Sequence, residues 1–401
     1  MVRRAIIGLV VLLAVSCQKE LYTVVVSLDG NRWDYPEYYD TPFLDSLAQA
    51  GVSARMEPSY PASTFPNHYT LATGLVPDHN GLVNNSFWDP DTRRSYSMGD
   101  RESRYDPYFY LGEPIWVTAE KQGVTTASLY WVGSDIAAGG GQPTYWRNWD
   151  EQPHWNFQER VDEAVRLLSL PKEERPRLTM VYFDEPDHTG HVYGPISPEC
   201  KDVVEQLDAL MHSFYLRLKA LPHGDRINFI VLADHGMTAL DARERFLSYA
   251  DYLPQEWILR VKGHTPTSIW AKEGYADSLY NHLSKIEHLS VWRHGEVPEY
   301  LNYGSSNRLG EVIAAPDLGW QFNQFPSKNL GGHGYDPTEK DMMVVFRATG
   351  PSFKKGYEAP FTEGEQSAFH NTDIYPLLCK LLGVKPQPTD GRLERIQKIL
   401  K

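Results

Sequence analysis

Three acid and histidine clusters carry the chemistry that can be read directly from this 401-residue chain. Asp187 and His191 lie in Asp184-Glu185-Pro186-Asp187-His188-Thr189-Gly190-His191. Asp234 and His235 lie in Ala233-Asp234-His235-Gly236-Met237, and His333 lies in Gly331-Gly332-His333-Gly334. Carboxylate oxygen with imidazole nitrogen is a ligand set suited to zinc in sites that keep one position open. A single Asp-His pair is usually a capped turn. Three such clusters, each at an expected strand end or in a glycine-rich loop, point to a metal-assisted reaction.

A candidate nucleophile accompanies them in Pro61-Ala62-Ser63-Thr64-Phe65-Pro66-Asn67-His68-Tyr69. Pro66 falls in the first turn of an expected helix that runs to Gly74. Thr64 then sits at the helix N-terminus, where free N–H groups and the helix dipole favour an anionic phosphate. A threonine hydroxyl attacks only when deprotonated, which a bound divalent metal promotes. The plainer alternative is an N-cap threonine that only starts the helix.

The elements that would position these residues alternate between strand and helix. Tyr22 to Leu28 is a continuous β-branched run ending at Asp29-Gly30, the pattern of a buried parallel strand. Thr41-Pro42 opens a helix that Gly51 stops. Further strands are expected over Val124 to Tyr130, Leu178 to Phe183, Asn228 to Ala233 and Met342 to Phe346. Helices are expected over Val161 to Leu170, from the Ser197-Pro198 cap to about Leu221, and near Thr372 to Leu382. The alternation predicts a mainly parallel sheet with helices on both faces. Ligands bind such sheets beyond the carboxyl ends of the strands, and Asp29, Asp187 and Asp234 all lie at or just after those ends. Residues from about 240 to 332 are less regular and are expected to include a smaller lobe. Residues 21–401 are expected to form a single catalytic domain.

Composition sets outer limits. A hydrophobic content of 41% suffices for a sizeable core, and a net charge of −13 argues against a binder of duplex nucleic acid. It leaves a phosphate substrate open, because bound metals supply local positive charge that side chains do not. Arg3 and Arg4 precede the apolar run Ala5 to Val15, and Ser16-Cys17 follows. This is the layout of a secretory signal, and the Cys after Leu13-Ala14-Val15-Ser16 is similar to a bacterial lipoprotein cleavage box. Residues 1–17 are therefore expected to be a lipoprotein signal with lipidated Cys17, on an exported protein anchored in the bacterial cell envelope. Cys200 and Cys379 alone make no disulfide framework.

Taken in order, several motifs resemble the nucleotide pyrophosphatase/phosphodiesterase family of the alkaline phosphatase superfamily. They are Leu28-Asp29-Gly30, Thr64-Phe65-Pro66-Asn67-His68, Thr73-Gly74-Leu75, His79-Asn80-Gly81, Asn85, Gly133-Ser134-Asp135, Glu185-Pro186-Asp187 with Gly190-His191, Ala233-Asp234-His235-Gly236-Met237 and Gly332-His333-Gly334. The resemblance runs from residue 22 to about residue 383 and implies an alkaline-phosphatase-like αβα sandwich. It implies two zinc ions per chain, one held by Asp29, Asp234 and His235 with Thr64 beside it, the other by Asp187, His191 and His333. Asn85 matches the residue that hydrogen-bonds a phosphoryl oxygen in that family. The implied reaction is hydrolysis of nucleotide 5′-phosphodiesters and pyrophosphates through a phosphothreonine intermediate, releasing a nucleoside 5′-monophosphate.

Substrate choice is less constrained. Phe65 beside the nucleophile suits stacking on a base or packing of a lipid group. Trp149 is the best match to the family's second aromatic, ahead of Tyr145 and Trp146. The alternatives are a phospholipid or choline phosphodiesterase, and a phosphomonoesterase or phosphonate hydrolase with a cationic clamp such as Arg147. Outside enzymology, 11 Trp and 24 Tyr would serve a surface lipoprotein that binds ligands without turnover. The natural substrate and the oligomeric state are left open.

Overall fold

The computed structural model describes residues 20–241, 243–361 and 369–401. The expected signal segment and Cys17 lie outside the described residues. In chain order, the strands of the two larger sheets are β1 (Tyr22–Leu28), β2 (Val52–Met56), β3 (Thr126–Leu129), β4 (Tyr145–Arg147), β5 (Leu178–Phe183), β6 (Ile227–Leu232), β7 (Ile258–Gly263), β8 (Thr267–Ala271), β9 (Leu289–Arg293), β10 (Val312–Pro316), β11 (Val344–Thr349) and β12 (Tyr357–Glu358). The helices that matter most are α1 (Pro42–Ala50), α2 (Thr64–Thr73), α3 (Ile115–Glu120), α4 (Phe157–Leu168), α5 (Asp187–Tyr193), α6 (Pro198–Lys219) and α7 (Ile374–Leu382).

Eight strands form the central sheet in the order β12-β2-β11-β6-β1-β5-β3-β4. β11 runs antiparallel to both neighbours, and every other pairing is parallel. β1 shows why the apolar runs carry no alternation: all seven of its residues are buried. Val24, Val26 and Leu28 face one helical layer, with residues of α1, α4 and α6. Val25 faces the other, with residues of α2, α3 and α7. Each fully buried Val or Leu contributes about 1.5–3 kcal/mol, and together they hold the three layers in place. The result is the αβα sandwich that the alternating pattern predicts.

Several elements differ in detail from their sequence expectation. The β2 run, buried at alternate positions, went unread. The late strand starts at Val344, because Lys340–Met342 forms a short 3-10 turn first. Thr41 makes no side-chain cap on α1. Asp208 of α6 does so instead, accepting from the N–H groups of Phe43 and Leu44 at 2.9 Å each. Gly51 follows α1 for a steric reason: a Cβ there would lie 2.1 Å from Ala348 O of β11.

Within residues 240–332, β7, β8, β10 and β9 pair in that order as an antiparallel sheet. Arg308, 4% exposed, ties this region to the chain that follows α2. Its guanidinium bonds Asp89 Oδ2 at 3.0 Å and the carbonyls of Gly81 and Phe109 at 2.7 Å each.

Candidate active site

β6, β1 and β5 are adjacent and parallel, so their carboxyl ends lie at one edge of the sheet. Asp29 follows β1, Asp234 follows β6, and Asp187 opens α5 just beyond β5. A backbone bond from Asp187 N to Asp29 O (3.0 Å) joins two of these ends. His333 arrives from far along the chain by a short ribbon in which Gly331 and Gly332 pair with Ala239 and Thr238. Glycine is required at Gly331, where a Cβ would meet Gly190 O at 2.3 Å.

Two triads result, Asp29-Asp234-His235 and Asp187-His191-His333, with the donor atoms of each within 4.8 Å of one another. His235 and His333 stack at 3.7 Å between ring centroids, so the triads adjoin. All three imidazoles are anchored in the same way. Nδ1 of His235 faces Gly236 O at 2.9 Å, Nδ1 of His333 faces Ala62 O at 3.0 Å, and Nδ1 of His191 faces Gly331 O at 2.8 Å. A carbonyl oxygen only accepts, so each Nδ1 carries a proton, and in the neutral ring each Nε2 presents a lone pair.

Those lone pairs face carboxylate oxygens. His235 Nε2 lies 3.4 Å from Asp29 Oδ1 and 3.2 Å from Asp234 Oδ2. Nε2 of His191 and of His333 lie 3.4 and 3.7 Å from Asp187 Oδ1. The same three oxygens are buried without an aligned hydrogen-bond donor. Acceptors turned on acceptors repel unless a cation lies among them, and this donor set fits two divalent metals.

The electrostatics agree. Burial, with repulsion from Asp234 and Asp187, holds the Asp29 carboxyl well above the usual carboxylate range. Burial also raises Asp187. Burial and the neighbouring His235 and His191 push His333 well below the usual imidazole value. Burial alone would raise Asp234, but His235 and His68 hold it below its ordinary value.

Thr64 is the first residue of α2, and Ser63 occupies the cap position. The plain capping alternative therefore fails. Thr64 is buried, and its Oγ1 meets His235 Nε2 at 3.0 Å across the site. Asn85 Oδ1 accepts from Phe65 N–H at 3.0 Å, which leaves the Nδ2 group as the donor end of a side chain that lines the same cavity as Thr64.

Two cavities meet at Thr64, Met98 and Asp187. One, of about 430 Å³, holds Asn85, His191 and His333 in its wall. The other, of about 260 Å³, is lined by Phe65, Tyr110, Tyr130, Trp131, Trp149 and Tyr182, with Arg104, Asp135, Asp184 and His188 among its polar groups. Phe65 and Trp149 thus share one cavity. Asp135 Oδ2 accepts from Trp149 N–H at 3.3 Å, the physical link between the Gly-Ser-Asp motif and that ring.

The other aromatic candidates point elsewhere. Tyr145 bonds Glu174 O, and Trp146 is exposed. Arg147 pairs with Glu151 and lies 4.2 Å over Trp155, outside both cavity walls. A phosphate clamp by Arg147 is not what its position allows.

Sequence reasoning passed over Tyr182, whose hydroxyl donates to Asp29 Oδ2 at 2.6 Å. It was hidden in an apolar strand. It also passed over His68, whose ring meets Ser27 Oγ at 2.9 Å and Thr64 O at 3.0 Å and lies 3.2 Å from Asp234 Oδ2. The spacing Thr64 to His68, one helical turn, was the available signal. His188 is exposed on the cavity wall.

Residues 23–336 match the family model described as type I phosphodiesterase/nucleotide pyrophosphatase. The chain belongs to this family. Its members hydrolyse phosphodiester and pyrophosphate bonds. Human ectonucleotide pyrophosphatase/phosphodiesterase family member 5 is 32% identical over 382 residues, covering 94% of this chain and 77% of its own length. Venom phosphodiesterase 2 of Crotalus adamanteus is 31% identical over 394 residues, and the chain spans 47% of its length. Among solved structures, an inactive threonine-to-alanine variant of the murine member 5, in complex with AMP, superposes with a TM-score of 0.88. It is 31% identical, and the match covers 95% of this chain and 100% of that one. The fold is therefore the alkaline-phosphatase-like fold of the phosphodiesterase family.

Proposed function

We propose that this family member hydrolyses nucleotide 5′-phosphodiesters and pyrophosphates with Thr64 as nucleophile, releasing nucleoside 5′-monophosphates. The observation that carries the reading is the position of Thr64 Oγ1. It lies at a helix N-terminus, 3.0 Å from His235 Nε2 and beside two Asp/His triads. An aromatic cavity opens from the same residue. The AMP bound to the murine relative supports a nucleotide as the occupant of that cavity.

Zinc in the two triads would supply positive charge against the phosphoryl oxygens and lower the pKa of the Thr64 hydroxyl. Asp29, Asp234 and His235 would hold one ion, and Asp187, His191 and His333 the other. Thr64 Oγ1, its proton released to solvent, forms a bond to phosphorus as the bond to the leaving oxygen breaks. Its product is a phosphothreonine still esterified to the nucleoside. Asn85 Nδ2 donates to a phosphoryl oxygen as charge accumulates there, an orientation fixed by the Phe65 N–H bond to Asn85 Oδ1. Water then cleaves the Oγ1–P bond, Thr64 regains its proton, and two inversions leave the configuration at phosphorus retained. Phe65 and Trp149 flank the base.

Acid quench during turnover of the p-nitrophenyl ester of thymidine 5′-phosphate, followed by peptide mass spectrometry, tests this. The expected result is a thymidylyl group on Thr64, absent from Thr64→Ala, which should retain both metals and lose turnover. Full activity in Thr64→Ala would refute the covalent route. The composition of residues 1–17 supports a further part of the proposal, export and lipid anchoring through Cys17 in a bacterial envelope. Labelling with a radioactive fatty acid should fail in Cys17→Ser.

A further inference from the structure

Arg160 is a buried cation that the reaction does not use. It lies on the first turn of α4 and is 1% exposed. Each part of its guanidinium is engaged. Nη1 donates to Tyr182 O at 2.7 Å and lies 2.9 Å from Asp184 Oδ1. Nη2 meets His154 Nε2 at 3.0 Å, and Nε donates to Trp155 O at 3.2 Å. The group also sits 4.5 Å from the ring centroid of Tyr130 and 5.8 Å from that of Trp149.

Its partners form one wall of the aromatic cavity. Trp149 packs edge-on against His154 at 4.8 Å and Tyr130 at 5.6 Å, and it meets Tyr182 at 5.8 Å. Tyr130, Trp149, Tyr182 and Asp184 all line the cavity. Arg160 itself does not reach it. A planar fork with five donors is the side chain able to fix three backbone or ring acceptors and a carboxylate at once, while its face packs on rings.

We infer that Arg160 is the positioning residue of the base-binding wall: it holds Trp149, through His154 and Tyr130, at the angle that a nucleobase requires. This rests on the proposed stacking of the base on Trp149. Removing the fork frees His154 and Asp184 and lets Trp149 turn into the cavity. The effect falls on substrates that carry a base and spares those that do not.

The test compares the thymidine 5′-phosphate p-nitrophenyl ester with methyl p-nitrophenyl phosphate, which has the same leaving group and no base. Arg160→Met should raise KM for the nucleotide ester between about tenfold and a hundredfold. It should leave kcat/KM for the methyl ester within twofold or so. Arg160→Lys, which keeps the charge without the fork, should behave nearly as Arg160→Met does. If Arg160→Met does not fold, His154→Ala removes one exposed link in the chain of contacts, and its KM should rise in the same substrate-dependent way. Equal losses on both esters, or none on the nucleotide ester, would overturn the inference. Trp149→Ala separates it from the reading beneath it. If that variant binds the nucleotide ester normally, base stacking is wrong; if it binds poorly while Arg160→Met and His154→Ala do not, the positioning role alone is wrong.

Discussion

Removing one hydroxyl, in Tyr182→Phe, tests how the Asp29-Asp234-His235 triad would be supported as a metal site. The Tyr182 OH group is 2.6 Å from Asp29 Oδ2, on a buried side chain. It is the one side-chain donor to Asp29 among the described residues, since Oδ1 has no aligned partner. Burial, with Asp29 beside it, raises the phenol far above its ordinary pKa, so it stays a donor at every working pH. The ring would remain packed against His68 at 4.8 Å and Trp149 at 5.8 Å. Two independent magnitudes then agree. A hydrogen bond to a charged group contributes about 1.5–3 kcal/mol. Loss of a partner behind a metal ligand weakens metal affinity about 10- to 100-fold, which converts to about 1.4–2.7 kcal/mol. The assay is activity against buffered free zinc. The variant's curve should shift to 10- to 100-fold higher zinc, about the range just given, with kcat at saturation within about threefold of the parent. A curve that superimposes on the parent's would refute the argument that this bond holds Asp29 as a ligand.

Other expectations follow from single contacts. His333→Ala or Asp187→Ala should lose one of two metals and most activity; two metals per chain by elemental analysis of either variant would contradict the pairing of ligands. Gly236→Ala places a Cβ 2.0 Å from Asp341 O, beside the carbonyl that holds His235 Nδ1, so activity should fall sharply and return only in part with excess zinc. Asp89 faces burial that would raise its pKa, but bonds from Thr92 and the charge of Arg308 lower it on balance. A depressed folded pKa means stability that is present above the unfolded value, about 3.9, and lost as pH falls through the folded one. Asp89→Asn should therefore be less stable than the parent at pH 7, and the gap between their urea midpoints should narrow as pH falls below the ordinary carboxylate value.

Much of the site was legible because its residues carry local signals. Asp187 with His191, and Asp234 with His235, are near neighbours in the chain, and buried β-branched runs mark the strands they follow. Asp29 was visible only as a strand end, since a lone aspartate before glycine looks like any turn. The cavity wall was opaque for a different reason. Tyr130, Tyr182 and Arg160 make contacts between distant segments, and in sequence the two tyrosines read as strand while Arg160 stands just before the expected helix. Trp149 could be ranked against Tyr145 and Trp146 but not chosen by chemistry, because its distinction is a bond to Asp135 that only the fold creates. Likewise Asp208, not Thr41, caps α1, since a buried carboxylate from another helix outcompetes a local hydroxyl.

The ordering of strands has a consequence for how such a protein can change. The acids that would bind metal come from β6, β1 and β5 at the centre of the sheet, while Trp149 and its neighbours ride on segments that follow β3 and β4 at its edge. Peripheral segments can be lengthened or replaced without disturbing the three inner strands. Descendants of one ancestor could thus trade one esterified group for another while keeping the same reacting centre.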